Sequence, residues 1–248
     1  MFARSLGSAV LLLLAGSLHA AEAQVAVAAN FAEPVKAIAA VLEKTTGHTL
    51  KITVGATGRL YAQIRNGAPF DVLLSADTKA PAQLETDGLA QPGSRVTYAT
   101  GKLVLWSADA AKVDAQGAVL KGSGFRKLAL ANPKTAPYGA AAIEVIDQLG
   151  LSASLAPKLV QGESIGQTYN FAFTGNAEIA FVAMSQVLEG GRLKGGSMWV
   201  VPQNLYTPIR QDAVLLKKGA DNAAAQALMT LLQSPNIKTL IRSYGYDI

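Results

Sequence analysis

Four short stretches combine residue types that can hold a small anion: 28-AANFAEP-34, 55-GATGR-59, 135-TAPYGA-140 and 162-GESIGQ-167. In each, an apolar run ends and a helical pattern starts on a small or capping residue. The first N–H groups of a helix have no intrahelical acceptor, and the helix dipole adds partial positive charge at the same end. The chemistry on offer is therefore anion binding by neutral donors. Such donors suit an anion that carries no proton. A protonated phosphate also asks for an acceptor, and none of the four turns contains an aspartate. Glu33 and Glu163 are nearby, but each sits where helix starts ordinarily carry an acid.

Each turn also has a purely structural reading. Asn30-x-x-Glu33 with Pro34 in the first turn, and Ser164-x-x-Gln167, both fit a capping box. Thr57 can cap the helix that begins at Gly58, and Tyr138-Gly139 after Pro137 can be an ordinary turn. The two readings are compatible, because a cap satisfies one or two of four free donors and leaves the rest. Nucleotide fingerprints fail. Gly55-x-x-Gly58 lacks the third glycine of a dinucleotide loop and the trailing Lys-Ser/Thr of a phosphate loop. Arg59, Arg65, Lys134 and Lys158 lie near the turns as scattered cations and read as solvated surface charges.

Composition narrows the class. The chain has 248 residues, half of them hydrophobic, enough for one large or two ordinary domains. Residues 1–23 carry Arg4, an apolar run from Ala9 to Ala15 and then small residues, the pattern of a secretory signal peptide. The run falls short of the roughly 20 apolar residues that span a bilayer. Ala21-Glu22-Ala23 places cleavage after Ala23, with Ala20 as a close alternative. Losing this segment removes one basic and one acidic residue, so the net charge stays at +5. The basic residues form no stripe, which argues against nucleic acid as a partner.

There is no cysteine, hence no disulfide, thiolate metal site or thiol nucleophile. Export without disulfides fits the bacterial periplasm. His48 is the one histidine outside the leader. It follows Gly47 in a polar turn, a poor place for the base of a Ser-His-Asp triad. A hydrolase using Thr57 or Ser164 as nucleophile would need another base.

These turns must be positioned by alternating elements. Residues 25–29 read as a buried strand. Phe31, Val35, Ile38, Ala39 and Leu42 then mark one face of a helix that Gly47 stops. Strand 50–54, helix 58–66, strand 71–76 and helix 79–87 follow. An extended segment, 95–107, leads to strand 128–131, helix 139–149, a strand near 158–160, helix 166–173, strand 178–182 and a short helix from Ala183. Strand 197–201 leads to a second extended segment, 207–216, and helices 222–232 and 235–242 close the chain. The β-α-β order implies parallel sheets covered by helices. Two extended segments flanking a middle α/β unit predict two lobes, 24–100 with 205–248 and 101–204. Ligands of open α/β sheets bind at the carboxyl ends of strands, and between two lobes those ends form a cleft.

At 27-VAANFAEPVKAIAAVLEKTTGH-48, 55-GATGRLYAQIRNGAPFDVLLSAD-77, 130-LANPKTAPYGAAA-142 and 178-EIAFVAMSQV-187 the chain resembles the periplasmic molybdate-binding proteins of ABC importers. The resemblance covers essentially the whole chain after the leader. It implies a two-lobed periplasmic binding protein of type II, each lobe a mostly parallel sheet flanked by helices, joined by two crossover segments. It implies a monomer without cofactor or enzymatic activity that captures molybdate, and also tungstate, and delivers it to a membrane permease. Carried over by position, Asn30 would donate through its side chain and N–H, with Ala29 beside it. Thr57 would donate its hydroxyl and N–H, and Tyr138 and Ile165 their backbone N–H groups. The metal would be met only through molybdate oxygens. Two positions depart from the pattern: Ala29 and Ala183 stand where some members carry donor hydroxyls, which leaves the donor count open.

Overall fold

In a computed structural model, residues 20–248 are described. Most of the expected leader, residues 1–19, lies outside them. The elements follow the alternation. In the first part these are β1 (Glu22–Ala28), α1 (Ala32–Thr46), β2 (Thr49–Gly55), α2 (Thr57–Arg65), β3 (Val72–Leu74), α3 (Lys79–Thr86), β4 (Val96–Gly101) and β5 (Leu103–Ser107). The middle part contains β6 (Leu128–Ala131), α4 (Pro137–Gln148), α5 (Ser152–Leu155), β7 (Leu159–Gly162), α6 (Ile165–Phe173), β8 (Ile179–Ala183) and α7 (Met184–Val187). A two-stranded ribbon of β9 (Leu188–Glu189) and β10 (Arg192–Leu193) precedes β11 (Ser197–Val200) and β12 (Ile209–Leu215). α8 (Ala223–Leu231) and α9 (Pro235–Ser243) come last.

α1 shows how local rules set the boundaries. Val35, Ile38 and Leu42 are fully buried on one face, as the 3.6-residue spacing requires. Gly47 ends the helix in the left-handed region (φ 74°), and its N–H donates to Glu43 O at 2.8 Å. A residue with a Cβ is strained there.

Two five-stranded sheets are built to one plan. The first has the order β2-β1-β3-β12-β4 and the second β11-β5-β8-β6-β7. In each, the first strand of the α/β unit (β1 or β6) is central to a parallel block, with the second (β2 or β7) on one side and the third (β3 or β8) on the other. A strand that carries the chain between the lobes, β12 or β5, then pairs antiparallel with the third. The sheets are thus mixed, because the crossover strands return in the opposite sense. The long extended segment at 95–107 divides into β4 and β5, one for each sheet. The crossings fall at 101–103 and 200–209.

β1 begins earlier than the alternation predicts. Glu22 pairs with Thr49 and Ala23 with Leu50, and Ala23 is fully buried. Ala21 O accepts the N–H of Thr49 at 2.9 Å, and the Ala21 N–H donates to His48 Nδ1 at 3.1 Å. Three residues on the leader side of the first expected cleavage point are therefore tied into the sheet or its margin.

Candidate functional site

The shared plan explains why the four turns meet. α2, α4 and α6, and the 3₁₀ turn Ala29–Phe31 that opens into α1, each follow the carboxyl end of a first or second strand. Those strand ends face one another across the lobes. Ala29, Asn30, Thr57, Tyr138 and Ile165 all line one small pocket of about 10 Å³, shared by both lobes. No charged side chain is in its lining. Drug-sized ligands occupy about 300–1,000 Å³, so this pocket is far too small for one. A cleft of about 1020 Å³ opens beside it and shares Thr57, Ala76, Ala136 and Pro137. That cleft is lined by charges of both signs, among them Arg65, Lys134, Arg210, Asp77 and Glu144.

The helix starts keep their donors. α2 and α4 have no side-chain cap. Thr57 is the first residue of α2 rather than its cap, and its Oγ1 accepts the N–H of Ala76 at 3.0 Å. The hydroxyl proton is thereby left to donate. Only α6 carries the expected cap: Ser164 Oγ accepts the Gln167 N–H at 3.3 Å, while Gln167 Oε1 accepts the Glu163 N–H at 2.7 Å. Such a cap leaves the N–H of Ile165, the first helical residue, free of an intrahelical acceptor. Tyr138, second in α4, is in the same position by geometry.

Asn30 does not form the capping box that Asn30-x-x-Glu33 suggests. Glu33 pairs with Lys36 instead. The Asn30 Nδ2 donates to Gln211 Oε1 at 2.8 Å and to Tyr246 Oη at 2.9 Å. Its Oδ1 is buried without a partner, one of two such side-chain atoms among the described residues. Ala183 ends β8, fully buried, with its N–H donating to Gln186 Oε1. It is outside the pocket lining, so the missing hydroxyl there takes nothing from the wall as formed.

Sequence reasoning missed the polar cluster behind Asn30. Gln211, Tyr98, Tyr138, Tyr246, Ser185 and Ser75 are all buried at the junction of the lobes. Tyr98 Oη donates to Ser75 O at 3.0 Å and touches Gln211 Oε1 at 3.1 Å, while Gln211 Nε2 donates to Tyr138 Oη at 3.1 Å. Ser185 Oγ, across the cleft, donates to Asn30 O at 2.8 Å. A register shift between β12 and β4 falls at Gln211/Asp212, where Gln211 opposes Ala99 and Asp212 opposes Thr97. Tyr98 is the extra residue, and such a bulge re-aims a side chain. Burial pushes the phenols of Tyr98, Tyr138 and Tyr246 well above their ordinary range, so all three stay protonated at physiological pH. One sequence signal was available: Gln211 and Asp212 are consecutive polar residues directly before the apolar run Ala213–Leu215 of β12.

The lobes are closed on each other. The N–H of Gly58 donates to Thr135 O at 2.9 Å across the cleft, and Arg59 pairs with Glu163. That ion pair is about half exposed, a setting worth roughly 0–1 kcal/mol. His48 lies before β2 and Thr57 after it. Seven strand residues at about 3.3 Å each separate them by roughly 20 Å, so His48 cannot act as base for Thr57.

The chain matches the bacterial extracellular solute-binding protein family over residues 23–247. It is 57% identical over 236 residues to the molybdate-binding protein ModA of Azotobacter vinelandii, covering 95% of this chain and 94% of that one. It is 54% identical over 245 residues to ModA of Rhodobacter capsulatus, covering 98% and 96%. Among solved structures, the periplasmic molybdate-binding protein of Azotobacter vinelandii superposes with a TM-score of 0.89 at 42% identity, over 91% of this chain and 99% of that one. The chain therefore belongs to the bacterial extracellular solute-binding proteins and, within them, to the family of ModA molybdate-binding proteins.

Proposed function

We propose that the protein captures molybdate, and also tungstate, between its lobes in the periplasm and delivers it to the permease of an ABC importer as a monomer, without covalent chemistry. The observation that carries this reading is the uncharged pocket where four helix starts from two lobes converge. The fully ionised dianion is met by donors alone: the backbone N–H groups of Asn30, Thr57, Tyr138 and Ile165, the Thr57 hydroxyl and the Asn30 amide. Ala29 contributes backbone and close packing. No carboxylate is in the lining to accept a proton from the anion, which disfavours a protonated phosphate. Each charge-assisted hydrogen bond contributes roughly 1.5–3 kcal/mol. Several together, after the cost of closure, place the affinity in the submicromolar range, about −8 kcal/mol or better. The lobes would be residues up to 100 with 205–248, and 101–204. Molybdate would favour the closed state because donors from both lobes reach it only there.

The mature chain is proposed to start at Ala21. Cleavage after Ala20 preserves the Ala21 contacts and the full β1–β2 pairing, whereas cleavage after Ala23 removes two paired residues, one of them fully buried. A native mass spectrum of the exported protein tests both points. The expected result is a chain beginning at Ala21 that gains the mass of one molybdate. A chain that gains none under micromolar molybdate would overturn the functional reading.

Thr57→Val keeps the shape of the side chain and removes its hydroxyl. Calorimetry should show molybdate binding weakened about tenfold or more, the value of one charge-assisted bond. Thr57→Ser should bind within a few-fold of the parent. Equal binding by the valine variant would remove the hydroxyl from the site.

A further inference from the structure

The Asn30 amide, as hydrogen-bonded here, offers the wrong atom to an anion. Nδ2 is spent on Gln211 and Tyr246, so the atom left for the pocket that Asn30 lines is Oδ1, buried and unpartnered. An acceptor there opposes an oxyanion, and a donor there completes its shell. Turning the Asn30 amide alone does not work. It would set Asn30 Oδ1 against Gln211 Oε1, acceptor to acceptor, at 2.8 Å.

Turning both amides together does work. Gln211 Nε2 then takes the place of Oε1 and donates its two protons to Asn30 Oδ1 and Tyr98 Oη, contacts of 2.8 and 3.1 Å. Tyr98 still donates to Ser75 O. Gln211 Oε1 accepts from Tyr138 Oη, and Tyr246 Oη turns its one proton from Asn30 O and Ser185 Oγ to Asn30 Oδ1. Ser185 Oγ keeps its bond to Asn30 O. Every partner of the two amides is retained with its polarity reversed, and the Asn30 NH₂ faces the pocket.

We propose, building on the oxyanion reading above, that Gln211 is the positioning residue of the site. Its amide turns as a pair with that of Asn30, so Asn30 presents its NH₂ to the anion only when Gln211 presents its own NH₂ to Asn30 Oδ1. Gln211 lies on β12, the strand that returns the chain to the first sheet. Its amide touches Asn30 of one lobe and Tyr138 of the other, so the orientation that binds the anion is read where the lobes join. Gly101 keeps this space open. A Cβ at that position would overlap Tyr138 Oη and come within 2.6 Å of Gln211 Nε2.

Nuclear Overhauser contacts in the molybdate complex of the full mature chain decide the matter. The contact of the Gln211 side-chain NH₂ to the ring of Tyr98 should be stronger than that to the ring of Tyr138. A stronger contact to Tyr138 in the complex would overturn the proposal. As a second measurement, Gln211→Glu removes the NH₂ while keeping the shape. Burial leaves part of the new carboxyl protonated, but its ionised form only accepts and so draws the Asn30 NH₂ away from the pocket. Molybdate affinity should fall about tenfold or more, with the Asn30 NH₂ signals unmoved by the anion. Parental affinity in that variant would contradict the pairing. Failure of the parent chain to bind molybdate would instead count against the functional reading, so the two failures are distinguishable.

Discussion

Asn30→Asp is expected to weaken molybdate binding by about a thousandfold or more, read by calorimetry on the folded variant. The substitution is isosteric and the position is 2% exposed, so shape is not the cause. A unit negative charge about 4 Å from a dianion, at an effective dielectric of about 20, repels it by roughly 8 kcal/mol. Partial protonation of the new carboxyl trims that figure. No cation in the pocket lining neutralises it, because the lining carries no charge. Asn30→Ala, which deletes a donor without adding charge, should cost about tenfold or more. The gap between the two variants is the informative quantity. Similar small losses in both would mean that residue 30 does not face the anion.

The second large effect falls on the fold. Gly139→Ala should lower stability by about 3 kcal/mol, at the upper end of overpacking costs. For a chain of this size that is a fall of about 6–12 °C in the melting midpoint. A Cβ at Gly139 would overlap the Ala131 carbonyl oxygen, 2.7 Å from the Ala131 carbonyl carbon and 3.1 Å from the carbonyl carbon of Asn132. All three are backbone atoms of β6 and the turn after it, so no side chain can swing aside. α4 would have to ride off the sheet and carry the N–H of Tyr138 with it. Molybdate affinity should therefore fall in the surviving folded protein. A melting midpoint within about 2 °C of the parent would show that the contact relaxes freely, contrary to this account.

The sequence revealed elements more readily than it revealed contacts. Helix and strand placements from periodicity and glycine stops held to within a few residues from β1 to α9, because each element buries one face and ends on its own punctuation. Gly47 after α1 is a clear case. The expected lobe boundary at 100/101 already put a crossing inside 95–107, but the break into two strands was not legible, since only residue 102 separates β4 from β5. The ribbon of β9 and β10 and the short α5 carry too little pattern to announce themselves. At the site, the convergence of Asn30, Thr57, Tyr138 and Ile165 could be anticipated, because each follows the carboxyl end of a strand. The hydrogen-bonding of Asn30 could not. Its partners Gln211 and Tyr246 are 181 and 216 residues away, and no local rule encodes a pairing of that range. Tyr98 reaches the same cluster through a register shift that strict alternation would not place.

The central claim is that uncharged donors from two closed lobes select a large tetrahedral dianion. Both molybdate and sulfate ask for the same donors, so discrimination must come from the size of the closed cavity. The most direct test is a calorimetric titration of the mature chain with molybdate, repeated in the presence of excess sulfate. The account predicts one site, submicromolar affinity for molybdate and little competition from sulfate. Equal affinity for the two anions would contradict the selectivity, and the absence of heat with either would contradict the site itself.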